Sequence, residues 1–378
     1  MSNPIFDLGR QGQSVWYDSI SRGLITSGEL GRLIAEAGLR GMTSNPAIFE
    51  KAIAGTDDYR GVLRRHAAAG LSPLQIYEAI AVEDIQWAAD ALLPVYEESE
   101  GRDGFVSLEV SPHLAHDTEG TVDEALRLAG EVGRRNLMIK VPGTAAGLPA
   151  IERLIAEGVN VNVTLLFARD RYAGAAEAYL EGLESLRARG GDLAGVASVA
   201  SFFVSRIDTL IDTRIGERLS EETDAVRRVA LAALKGRAAI ANARLAYQHF
   251  RGLVAGDRWS RLAAAGANPQ RLLWASTSVK NPAYRDVLYV EELIGPDTVN
   301  TLPEATFDAF RDHGAVEATL EKGADEARHV MDALEGLGIS MQEATDQLLD
   351  DGVRLFVEPF DKLLAAIETQ CEALPRRA

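Results

Sequence analysis

Lys140 stands where an amine could attack a carbonyl carbon. It lies in the run Asn136-Leu137-Met138-Ile139-Lys140-Val141-Pro142-Gly143-Thr144. The run is apolar, too short for a helix and closed by a Pro-Gly turn, which marks a buried strand. Alternation along a strand puts Leu137, Ile139 and Val141 on one face and Met138 and Lys140 on the other. A lysine aimed into a core is rare, because removing an ammonium from water is costly unless it is paired or loses its proton. The neutral amine that desolvation favours is also the form that makes a Schiff base. Two structural explanations stand beside the catalytic one: a buried lysine–carboxylate pair, and a strand-end lysine that reaches solvent.

Other polar side chains share this placement. Asp18 falls with Ser14 and Trp16 on one face of the run 14–20, and Glu109 with Ser107 and Ser111 in 105–111. Asn162 and Thr164 fall with Asn160 in 159–165, and Ser276 closes the run 271–276. Each has an apolar opposite face. A carboxylate near an amine supplies general acid–base chemistry, and amides and hydroxyls hold polar substrate groups.

Strand-like runs at 14–20, 39–44, 105–111, 136–141, 159–165, 196–204 and 271–276, with a weaker one at 298–302, alternate with helical spacing. Helices are expected from about Ser27, over 72–98 with Pro94 kinking or ending it, and over 122–133, 145–157, 169–189 and 224–254. Eight strands with intervening helices predict a (β/α)8 barrel of the TIM type. An open doubly wound sheet would ask for apolar residues on both strand faces, whereas a barrel mouth tolerates polar residues that converge on a ligand. The expectation is one domain over 1–378, with the barrel over about 14–310 and a helical C-terminal cover over about 315–374.

The composition bounds the function. A formal charge of −17 argues against nucleic-acid or anionic-membrane partners, so cations for an anionic substrate must be local. A lone cysteine, Cys371, fits a reducing compartment. The segment 1–13 has no signal-peptide pattern and no apolar run spans a bilayer, so a cytoplasmic protein is expected. His113, His116 and Asp117 lack a matching second ligand set for a metal. Gly143-Thr144 before a helix reads as a tight turn rather than a phosphate cradle, and there is no GxxxxGK[ST] run.

Six motifs, in order, resemble transaldolases, and the length of the chain, 378 residues, is similar to that of the longer bacterial branch. They are Thr43-Ser44-Asn45-Pro46, Ser107-Leu108-Glu109-Val110-Ser111-Pro112, Ile139 to Thr144, Asn162-Val163-Thr164-Leu165-Leu166-Phe167, Ser201-Phe202-Phe203-Val204-Ser205-Arg206-Ile207-Asp208, and Trp274-Ala275-Ser276-Thr277-Ser278-Val279-Lys280-Asn281-Pro282. The resemblance implies a cofactor-free barrel that moves a dihydroxyacetone unit between sugar phosphates, as a monomer or homodimer. It implies Lys140 as the Schiff-base residue, Asp18 as the base for the C4 hydroxyl, and Glu109 acting through a water held by Thr164. It further implies Asn45, Asn162, Ser201 and Phe203 on the substrate, with Arg206 and Ser276 near phosphate. The better-known branch has an arginine two positions after that serine. Ser278 stands there in this chain, and Lys280 is expected to supply the charge. Short fructose-6-phosphate aldolase relatives carry Gln and Tyr where this chain has Glu109 and Phe203, which favours transfer over release. A non-catalytic sugar-phosphate-binding barrel is the third reading, and one expected to have lost Asp18, Glu109 or Lys140.

Overall fold

Seven of the short aliphatic runs pair side by side, all parallel, in the computed structural model, which describes residues 3–372. They are β1 (Gln13–Tyr17), β2 (Val106–Glu109), β3 (Leu137–Pro142), β4 (Val161–Leu166), β5 (Ser198–Phe203), β6 (Arg271–Ala275) and β7 (Thr298–Leu302). Their order in the sheet is β1-β7-β6-β5-β4-β3-β2. Helices link them, as parallel pairing requires.

The gap between β1 and β2 is closed by the segment 40–43. Met42 bridges Tyr17 on one side and Val106 on the other. Arg40 N donates to Val15 O at 2.8 Å and Thr43 N to Tyr17 O at 2.9 Å, while Met42 N donates to Phe105 O at 2.8 Å and Ser107 N to Met42 O at 3.0 Å. The expected strand 39–44 is therefore reduced to a one-residue bridge. Gly41 is pressed on the Trp16 indole, where a Cβ would come within 2.6 Å of the ring, and Asn45 starts a helix at once. With this segment in the eighth position the sheet closes as a (β/α)8 barrel.

Local signals set the helices. Ser72 caps Pro73–Glu98 with a capping box to Gln75. That helix does not end at Pro94 but continues through it, with Leu92 and Val95 buried on either side. The expected helix 224–254 is split into Ala225–Ala233 and Ala238–Val254. Gly236 breaks it: its φ is +71°, and its N–H donates to Asp212 Oδ1 at 2.9 Å instead of continuing a helical ladder.

The expected C-terminal cover is built from Ala324–Gly336 and Met341–Glu372. Residues 373–374 of that expectation, and 1–2 at the other terminus, lie outside the described residues. Met341–Glu372, the C-terminal helix below, packs against Pro46–Gly55, Pro73–Glu98, Ser205–Glu221 and β4. No helix among the described residues is long and apolar enough to cross a membrane.

The N-terminal end of the barrel is closed by a buried ion pair. Arg271, first residue of β6, meets Asp103 at 3.0 Å, and Ser14 Oγ and Trp16 Nε1 also donate to that carboxylate. Removing one partner strands the other in low dielectric. Asp103→Ala is expected to lower unfolding stability by about 3–5 kcal/mol in urea titrations. KM should not change, because the pair lies at the end of the barrel remote from Lys140.

Candidate active site

Register brings the polar residues together. Glu109 on β2 is opposite Lys140 on β3, and Lys140 is opposite Asn162 on β4. Partners in register lie about 4.8 Å apart and point the same way, so the three form a row inside the barrel. Lys140 is 4% exposed and Glu109 6%. Lys140 Nζ donates to Glu109 Oε2 and to the Ser44 carbonyl, each at 3.0 Å. The lysine–carboxylate pair, one of the structural explanations for a buried lysine, is thus present, and its carboxylate is the expected acid–base residue. Burial pushes the Glu109 carboxyl up to about 7, against the lowering pull of Lys140, and nearby Asp18 pushes it further. A carboxyl in that range can both take up and give back a proton near neutrality, the acid–base service that chemistry at an adjacent amine requires.

Residues 43–45, at the end of the segment 40–43, supply three supports in sequence. Thr43 Oγ1 donates to Asp18 Oδ1 at 2.7 Å, Ser44 offers its carbonyl to Lys140, and Asn45 Oδ1 caps Pro46–Gly55 by accepting from Ile48 N at 3.1 Å. Asp18 is raised by burial, opposed by Lys140, Thr43 and Arg206. That raising makes it a stronger base than an ordinary carboxylate once ionised. Asn162 is held on both sides: its Nδ2 donates to Ser107 Oγ at 3.0 Å and its Oδ1 accepts from Ser201 Oγ at 2.7 Å.

Strain marks the next two positions. A β-bulge interrupts β4 between Val163 and Leu166, with Leu165 at φ +59° immediately after Thr164. Ser276 has φ +55°, and its Oγ lies 3.1 Å from Ser205 Oγ. A side chain in the left-handed region costs of order 1 kcal/mol and is tolerated where surroundings fix it. The buried atoms without a partner among the described residues include Glu109 Oε1, Thr164 Oγ1 and Arg206 Nη1. Buried polar atoms ask for partners, and these three offer an acceptor, a hydroxyl and a cationic donor to a ligand.

Arg206 is the second residue of Ser205–Glu221, whose N-terminus carries partial positive charge. Its guanidinium lies over the Phe203 ring, 5.4 Å from the centroid, and Phe203 packs on Phe167 at 5.1 Å. Burial lowers its pKa, while Asp18 and Asp351 raise it. Lys280 is exposed, and its Nζ donates to Ser278 Oγ at 2.8 Å, so the cation sits beside the very position where the better-known branch has arginine. Gly143 is required by close approach: a Cβ would lie 2.5 Å from Leu166 Cδ2. Thr144 Oγ1 accepts from Gly147 N at 2.9 Å, which caps the following helix internally. His113 pairs with Asp361 at 2.7 Å.

Two contributors were missed in the sequence. Phe356 of the C-terminal helix lies over Lys140, with Nζ 5.1 Å from its ring centroid, and Asp351 of the same helix acts on Arg206. Helical apolar spacing in a tail reads as core, and nothing local distinguishes Phe356 from Phe360.

A parallel barrel that holds a buried lysine, a paired carboxylate and an unpartnered arginine at the C-terminal ends of its strands is suited to carbonyl chemistry on an anionic substrate. The transaldolase/fructose-6-phosphate aldolase family model matches residues 15–367. The chain is 49% identical to the transaldolase of Trichodesmium erythraeum (strain IMS101), over 99% of each chain. It is 48% identical to the transaldolase of Thermobifida fusca (strain YX), over 99% of this chain and 100% of that one. The protein belongs to the transaldolase/fructose-6-phosphate aldolase family.

Asp208, two residues beyond Arg206, anchors that helix: it accepts from Ala239 N at 2.8 Å and from Tyr289 OH at 2.9 Å. Burial raises its carboxyl to about 6 from 3.8, and Asp212 adds to the rise. The folded state thus holds a proton that the unfolded chain has released. The associated stability is fully present below pH 3.8 and lost as pH rises through about 6. Relative to Asp208→Asn, the wild-type protein should therefore lose about 3 kcal/mol between pH 3.5 and pH 7. Denaturant titrations of both proteins across that range check it.

Proposed function

We propose that the protein is a transaldolase that moves a dihydroxyacetone unit from a ketose phosphate, such as fructose 6-phosphate or sedoheptulose 7-phosphate, to an aldose phosphate, such as erythrose 4-phosphate or glyceraldehyde 3-phosphate. The observation that carries the reading is Lys140 held between Glu109 Oε2 and the Ser44 carbonyl inside the barrel. We place the enzyme in the cytoplasm, acting without a cofactor on one continuous domain. The packing of the C-terminal helix on the barrel supports that single domain.

Lys140, having passed its proton to Glu109, adds to C2 of the ketose. Glu109, working through a water held by Thr164 Oγ1, protonates the carbinolamine hydroxyl, which leaves as water and yields the iminium. Asp18 removes the C4 hydroxyl proton, the C3–C4 bond breaks, and its electron pair flows into the iminium to give an enamine and a free aldose phosphate. Asn45, Asn162, Ser201 and Phe203 hold the remaining three carbons. The aldehyde carbon of the acceptor then takes the enamine electrons, Asp18 returns its proton to the new hydroxyl, and hydrolysis regenerates Lys140. Arg206, with Ser276 and Lys280 on the loop beyond β6, binds the phosphate.

Retention of Glu109 and Phe203, where the short aldolase relatives carry Gln and Tyr, favours transfer over release. The test is product formation from fructose 6-phosphate with and without erythrose 4-phosphate. A transaldolase gives sedoheptulose 7-phosphate and glyceraldehyde 3-phosphate only when the acceptor is present. Continuous release of dihydroxyacetone without it would make the enzyme an aldolase, and no turnover in either case would leave a binding barrel. The kcat–pH profile should show a limb near pH 7 from Glu109. Glu109→Gln should remove that limb and lower kcat by about 100-fold. Lys280→Ala should raise KM for phosphorylated donors about tenfold with kcat unchanged, and an unchanged KM would take Lys280 out of the phosphate site.

A further inference from the structure

The C-terminal helix Met341–Glu372 lays one face across the barrel mouth. Gly352 approaches the strained Leu165 so closely that a Cβ would lie 3.0 Å from its Cδ2. One turn on, Phe356 covers Lys140 and is itself 4% exposed. A further turn on, Phe360 meets Tyr77 edge to face at 5.3 Å, Asp361 pairs with His113, and Lys362 reaches Glu50 at 2.6 Å. At the other end Arg214 holds Gln347 Oε1 at 2.9 Å. The helix is thus fastened on both sides of Phe356, and it places an aromatic ring against the one nitrogen that would carry the substrate.

The chemistry makes that ring consequential. On the transaldolase reading, on which this inference rests, an enamine on Lys140 must outlast departure of the first aldose. Its loss needs a proton on the enamine carbon, then addition of water to C2 of the resulting iminium, then departure of the Lys140 amine. The balance is one bound unit plus one water giving dihydroxyacetone and free lysine. Glu109 is an acid within reach of Lys140, so protons are at hand and water access is the step the protein can limit. We propose that Phe356 is a specificity-determining residue that shields the Lys140 enamine from water, so that the three-carbon unit is transferred to an aldehyde rather than released. Excluding water also strengthens the attraction between the ring and the cationic iminium.

The test is the ratio of free dihydroxyacetone to transferred product, measured with fructose 6-phosphate and erythrose 4-phosphate together. Both products arise from one intermediate, so a lower folded fraction cancels from the ratio. Phe356→Ala should raise it about tenfold, and Phe356→Leu, which keeps an apolar cover, should stay within about twofold of wild type. If Phe356→Ala does not fold, Phe356→Gln, which admits water at similar length, carries the same expectation. A wild-type ratio in the Ala or Gln variant, with wild-type transfer intact, would overturn the inference alone. Absence of transfer by the wild-type enzyme would overturn the functional reading and this inference with it.

Discussion

A charge pair buried inside a parallel barrel is the interaction on which the rest of the site depends. Lys140 and Glu109 are both almost wholly removed from water, and each desolvated charge costs several kcal/mol that only its partner offsets. Such a pair is poor as a source of stability and good as a reservoir for one mobile proton. Burial holds the Glu109 carboxyl well above the range of an exposed carboxylate, so it can gain and release a proton near neutrality. The Ser44 carbonyl accepts the second Lys140 bond, fixing the nitrogen without adding a second full charge.

Several features of the fold follow from keeping that pair aligned. The registers of β2, β3 and β4 set Glu109, Lys140 and Asn162 in one row, and a slip of one residue would turn all three towards the outer helices. The bridge at Met42 closes the barrel and delivers Thr43, Ser44 and Asn45 to the mouth within three residues. Backbone strain at Leu165 and Ser276 sits next to Thr164 and Ser205, where the barrel's regular geometry gives way to the requirements of the site. The C-terminal helix completes the enclosure, so the pair depends on a segment more than two hundred residues away in the chain.

What was legible in the sequence was local and periodic. Period-two alternation located Lys140, Glu109, Asn162 and Thr164 on inward faces, because a strand leaves its side chains no other choice. Ser72 announced its helix through the capping box to Gln75. Gly236 was an equally local signal, and reading helical spacing across it joined two helices that its left-handed backbone separates. Pro94 went the other way, since burial of Leu92 and Val95 sustains a helix that the backbone alone would interrupt. Met42 and Phe356 were illegible for a different reason. Their roles depend on which distant elements they meet, and an apolar residue at helical spacing carries no mark of a lysine beneath it. The expected roles of Arg206 and Ser276 came from the family motifs alone, and that of Lys280 from a departure from them, Ser278 standing where the better-known branch has arginine. The unpartnered Nη1 of Arg206 gives that assignment a physical basis the sequence could not.

On the Schiff-base mechanism, Lys140 becomes covalently bonded to the substrate. Borohydride reduction in the presence of fructose 6-phosphate, followed by intact-protein and peptide mass spectrometry, tests it directly. One reduced dihydroxyacetone unit per chain is expected, located on the peptide that contains Lys140, and none in Lys140→Ala. An adduct on another lysine, or an active enzyme that traps nothing, would contradict it.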